Sequence, residues 1–211
     1  MMHQTAITFF ERRLQVPANW LLACVAPLSC FVLHWVSFCL INSRTVGRLA
    51  LSQPSESAQL LAHQEWLMLA GLFAAIAYTA VPLFGAIIMI CVDVLKSDSR
   101  SYVRLIEMVC FCFYLGVPFS LVSLVLSLSF VPPNPLVGVA SSTWDLLEIA
   151  RDYRIVVQST PTLVAIKWLG FASIGCMTVG MATAYHVVCG VSARFCAVGA
   201  IALLIVYLRI L

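Results

Sequence analysis

Charge is what this chain has least of. Of its 211 residues, 12 are Lys or Arg and 9 are Asp or Glu, so 10% are charged while 62% are hydrophobic. A soluble domain is about a quarter charged and under half apolar. In water such a chain would expose far more apolar surface than a monomer tolerates, so lipid is its expected solvent. The formal net charge of +3 is small and its basic residues are scattered, which excludes nucleic acid as a partner.

Catalytic signatures are missing too. No H-E-x-x-H, G-x-S-x-G, Walker or dinucleotide-binding pattern occurs. No carboxylate falls in the middle of an apolar run, so a proton relay or ion pump lacks its essential group. Neither an enzyme nor a bound cofactor is expected. No C-x-x-C pair occurs among the nine cysteines, at 24, 30, 39, 91, 110, 112, 176, 189 and 196. All lie in or beside apolar runs, where cysteine acts as a small buried apolar residue rather than as a disulfide or zinc ligand.

What is present is apolar length. About 20 apolar residues cover roughly 30 Å of hydrocarbon as a helix. Five runs meet or approach that length: 19–40, 66–92, 105–131, 162–190 and 195–211. The expected fold is therefore all-α, a single polytopic membrane bundle over 1–211 with about five transmembrane helices and short interfacial helices. The first 18 residues lack the apolar core of a cleavable signal, so the first run is expected to remain as an anchor. Polar loops are expected near 42–65 and 132–161, and tight turns at 93–104 and 191–194.

With five spans, Arg12, Arg13, Lys96, Arg100, Arg104 and Arg194 share one side, and Arg44, Arg48, Arg151, Arg154, Lys167 and Arg209 the other. The first set sits in shorter segments, which favours a cytoplasmic N-terminus. Ile7, Phe10 and Leu14 fall at helical spacing opposite Glu11 and Arg12. Ser142 and Asp145 mark a helix start, after which Trp144, Leu147 and Tyr153 share one face and Glu148, Arg151 and Asp152 another. Each segment either rests on the membrane or packs on the bundle.

Pro27, Pro82 and Pro118 interrupt three spans, and each removes an amide that the carbonyl four residues earlier would accept. Such breaks line sites in transporters and also occur as plain kinks. His34 and His186 are the intramembrane histidines. Helical rise separates them by roughly 15 Å in depth, too far for one haem. Asp93, Lys96, Asp98, Arg100, Arg104 and Glu107 form a balanced collar, of which Asp93 and Glu107 abut apolar runs and could anchor a partner. Lys167 is expected to reach the outer interface.

The clearest packing signal is Ala172, Cys176, Gly180 and Ala184, spaced by four along the fourth run. Ser192, Cys196 and Ala200 repeat that spacing on the fifth. Small residues at this period let helix backbones approach closely. They are the candidate contacts for other integral membrane proteins.

The order of parts resembles the Yip family of five-span membrane proteins, including its bacterial members. Phe9-Phe10-Glu11-Arg12-Arg13 leads to Pro17-Ala18-Asn19-Trp20, and a later turn reads Ser99-Arg100-Ser101-Tyr102-Val103-Arg104-Leu105. Phe113-Tyr114-Leu115-Gly116-Val117-Pro118 is similar to the family's aromatic-then-proline feature, and Gly190-Val191-Ser192-Ala193-Arg194 precedes a short last span. The long soluble N-terminal region and Asp-Leu-Tyr-Gly-Pro segment of the Golgi members have no counterpart. The resemblance implies a non-enzymatic membrane protein that works through partners, in a bacterial inner membrane or, alternatively, a eukaryotic endomembrane. The expected function is an accessory, assembly or organising subunit of a membrane complex; the alternative is a small transporter or channel using the proline-broken helices.

Overall fold

The computed structural model describes residues 2–52, 68–69, 71–80, 83, 100–134, 143–190, 201 and 205. Every regular element among them is helical. These are α1 (Met2–Leu14), α2 (Trp20–Ser52), α3 (Gly71–Ala80), α4 (Arg100–Cys112), a 3-10 turn (Phe113–Leu115), α5 (Val117–Ser129), α6 (Thr143–Gln158) and α7 (Pro161–Cys189).

Three helices are long and apolar enough to cross a bilayer: Trp20–Leu51, Val103–Ser129 and Pro161–Cys189. They correspond to the first, third and fourth expected spans. Of the second, α3 is the main described part, and the fifth lies outside the described residues apart from 201 and 205. The fold is therefore all-helical among the described residues, with three helices compatible with membrane spans. Leu21, Leu28, Val125, Trp168 and Val179 are exposed on these helices, as is Phe73 on α3. Exposed apolar side chains of this size are what a lipid-facing surface requires.

Local chemistry sets the helix ends. Asn19 caps α2, its Oδ1 accepting the Leu22 amide at 3.0 Å, which satisfies one of the orphan donors of the first turn. Pro161 opens α7 and Gly190 ends it at φ 63°, a left-handed position that glycine adopts without steric cost. α2 runs on to Ser52 rather than ending near residue 40, so 42–52 is helix where a loop was expected. Ser43 and Thr45 turn their hydroxyls back onto the Leu40 and Ile41 carbonyls, so these polar side chains do not interrupt the ladder.

The third span occupies the centre, with α2 along one flank and α7 along another. Its core, with α1 and Tyr78 of α3, includes Phe10, Ala26, Cys30, Met108, Phe113, Ile174 and Met177. A second cluster at the other end joins Val46, Leu49, Phe130, Tyr153 and Val157. α2 ends near the second cluster, whereas α4 begins near Asn19 at the opposite end of the bundle.

Both flanking helices pack on the bundle. In α1, Phe10 is buried and Glu11 and Arg12 are exposed. In α6, Tyr153 turns inward, its hydroxyl donating to the Pro133 carbonyl at 2.7 Å. Arg151 and Asp152 are exposed, so Tyr153 belongs to the bundle rather than to a membrane-resting face. Burial pushes the Tyr153 phenol above its usual range, partly offset by the positive charge of Arg48.

Candidate functional site

The small-residue stripe on α7 has two halves. Gly180 and Ala184 are buried in the chain's own core, while Ala172 and Cys176 are exposed. The split follows from helical geometry. A four-residue step advances about 400° at 3.6 residues per turn, so successive members drift by about 40° around the axis. At Gly180, an added Cβ would lie 2.9 Å from Leu115 Cδ1 and 3.3 Å from Cys112 Sγ. This glycine is thus where α7 meets the third span. Ser192, Cys196 and Ala200 lie outside the described residues.

The middle of the bundle, among the described residues, is polar and well buried. The third span breaks at Phe113–Leu115, and α5 restarts with Pro118 in its first turn. There proline's missing amide is one the helix would leave unpaired anyway. The Phe113 carbonyl accepts the Gly116 amide at 2.9 Å and the Cys30 thiol at 3.4 Å. Across the break, the Tyr78 and Ser173 hydroxyls are 2.6 Å apart. The His34 ring stacks on Tyr78 with centroids 4.4 Å apart. Tyr78, Phe113, Met108, Ile174 and Met177 are among the largest fully buried side chains. A buried hydroxyl left unpaired costs about 1–3 kcal/mol, so this pairing is what makes the polar centre tolerable. Among the described residues it joins hydroxyls, a thiol and an imidazole, with no carboxylate beside them.

His186 sits in the last turn of α7, a different setting from that of His34. Pro27 lies inside the continuous α2, while Pro82 is outside the described residues. Among the described residues, no three His, Cys, Asp or Glu side chains gather as metal ligands. The seven described cysteines are free thiols; Cys24 and Cys176 are exposed, and Cys30, Cys110 and Cys112 buried.

No protein-family model, curated protein or solved structure matches the chain. Its site is therefore read from chemistry alone.

At the Asn19 end, Glu107 is wholly buried. Its Oε1 accepts Arg13 Nη2 at 2.8 Å and the Asn19 backbone amide at 3.0 Å, and its Oε2 accepts Arg104 Nη1 at 2.7 Å. Arg104 also donates to the Val16 carbonyl at 2.7 Å, and the Arg13 guanidinium lies 4.9 Å from the Phe111 ring centroid. Of the expected charged collar, Arg104 and Glu107 thus tie α1 and the start of α2 to α4. Asp93, Lys96 and Asp98 are outside the described residues. Lys167 is exposed, its ammonium 5.8 Å from the Phe171 ring.

Two features escaped sequence reading. Ser120, Ser123 and Ser127 form a buried row on α5; Ser120 and Ser127 bond back to the Gly116 and Ser123 carbonyls. Small and buried, this row faces the bundle interior. Its signal was serine at i, i+3 and i+7 in an apolar run. The second is Arg44, whose Nη1 reaches the Ser127, Leu128 and Phe130 carbonyls at 3.2, 2.7 and 2.7 Å. An arginine there supplies donors to the orphan acceptors at the end of α5.

Proposed function

We propose that this chain is a non-enzymatic, membrane-embedded accessory or organising subunit that works by helix packing against other integral membrane proteins. The observation that carries the reading is the divided stripe of α7. Gly180 and Ala184 are used inside the chain, whereas Ala172 and Cys176 stand exposed on a spanning helix beside Trp168 and Val179. A small-residue ledge between large apolar neighbours gives a partner helix a place of close approach. The Yip-like order of parts supports the same reading. The shorter segments that hold Arg12, Arg13, Lys96, Arg100, Arg104 and Arg194 support a cytoplasmic N-terminus in a five-span arrangement, and the resemblance supports a bacterial inner membrane.

The transporter alternative draws on the broken third span. Against it stands the packing beside the break, where Phe113, Met177 and Tyr78 are fully buried. Reconstituted alone into liposomes, the protein is expected to leave ion and small-solute leakage at the level of empty liposomes. Saturable flux abolished by Tyr78→Trp would replace this reading with the transporter one.

A further inference from the structure

Arg44 and Arg48 lie four residues apart on α2, hence on one helical face. Beside them, α2 and the end of α5 enclose an open groove of about 500 Å³. Its walls include Gly47, Leu51, Leu128 and Val131. Leu51 and Val131 are 76% and 78% exposed, so the apolar rim is open. Gly47 is open too, since a Cβ there would meet nothing within 4 Å.

The charge in this groove is uncompensated among the described residues. Arg44 directs Nη1 to backbone carbonyls, and Arg48 directs Nη2 to the Asn134 side-chain oxygen. Both described ion pairs belong to Glu107, at the other end of the bundle. Depth narrows the occupant further. Arg44 is roughly 36 Å along α2 from Trp20 at 1.5 Å per residue, one hydrocarbon thickness and a little more. That places the guanidinium pair in a headgroup layer, with Leu128 level with Arg44 and exposed beside it.

We propose that the Arg44–Arg48 groove binds the phosphate of an anionic phospholipid, its acyl chain passing Leu128 toward the bilayer centre. The guanidinium donors match phosphate oxygens, and basic pockets between membrane helices recognise anionic headgroups in this way. A zwitterionic lipid would bring a cation beside two arginines.

The test uses the full-length protein, stripped of lipid in detergent and titrated by native mass spectrometry. The probes are phosphatidylglycerol, phosphatidylcholine and soluble glycerol phosphate. Phosphatidylglycerol is expected to bind about tenfold more tightly than phosphatidylcholine, with glycerol phosphate unable to displace it. Arg48→Gln and Gly47→Leu should each weaken phosphatidylglycerol binding at least fivefold, without lowering the melting temperature of the lipid-free protein. Gly47→Leu fills the groove without removing charge, so it decides the matter should Arg48→Gln fold poorly. Equal binding of the two lipids, displacement by glycerol phosphate, or unchanged affinity in Gly47→Leu would overturn the proposal.

Discussion

Gly180→Leu is expected to lower the melting temperature in detergent by about 5–10 °C, while Val179→Leu one residue earlier changes it little. The two variants carry the same side chain to neighbouring positions on α7. Val179 is 65% exposed, so leucine there extends into surrounding lipid or detergent. At position 180 the Cβ alone would stand 2.9 Å from Leu115 Cδ1 and 3.3 Å from Cys112 Sγ. Leu115 is half exposed and its side-chain end has room to turn aside. Cys112 is 1% exposed and has none. The remaining leucine carbons must then separate α7 from the third span, and such overpacking typically costs about 1–3 kcal/mol. Thermal unfolding of both purified variants checks it. Equal melting temperatures would mean that the α7 contact with the third span is not as close as described.

Removing the Glu107 carboxylate is expected to cost about 3 kcal/mol and to free α1 from the bundle. Breaking a buried ion pair by deleting one partner usually costs about 3–5 kcal/mol, because the other charges lose their compensation. The lower end applies here, since the Arg13 and Arg104 side chains are 15% and 23% exposed and keep some contact with water. Glu107→Gln keeps the shape but turns an amide toward one of the donors that the carboxylate now accepts. Glu107→Ala removes the acceptors altogether, and both variants are expected to lose stability. α1 carries Arg12 and Arg13, so its release is read directly as faster tryptic cleavage there. Glu11→Gln, an exposed change on the same helix, should leave cleavage at the wild-type rate. Unchanged cleavage in both Glu107 variants would show that apolar packing through Phe10 and Leu14 alone holds α1.

The same residues show what was legible in the sequence. Spans are written in apolar length, so the first, third and fourth runs matched helices able to cross a bilayer. Their ends were less legible. The first was expected to stop near residue 40, yet α2 continues to Ser52 because Arg44, Arg48 and the hydroxyl residues around them are compatible with a helix. The pattern of Ile7, Phe10 and Leu14 gave α1 its buried face but not its anchor. That anchor joins Arg13 to Glu107 across 94 positions, a separation that no local pattern encodes. The α7 stripe was legible as a row of small residues, but its division into an inward and an outward half depends on which face the third span covers. Tyr153 had two destinations on sequence grounds, and its inward turn depends on the Pro133 carbonyl being within reach. The lipid groove was wholly illegible, since it forms only when the upper turns of α2 lie beside the end of α5.

The most direct measurement of the proposed function compares wild type with Cys176→Leu after mild solubilisation of native membranes, followed by native gel electrophoresis. Cys176 is exposed, so leucine there should leave the melting temperature of the isolated protein unchanged while spoiling close approach from outside. Wild type is expected to migrate in an assembly with other integral membrane proteins, and Cys176→Leu to shift substantially toward the free form. Wild type running as a free monomer, or Cys176→Leu remaining fully assembled, would contradict a role carried by the exposed half of α7.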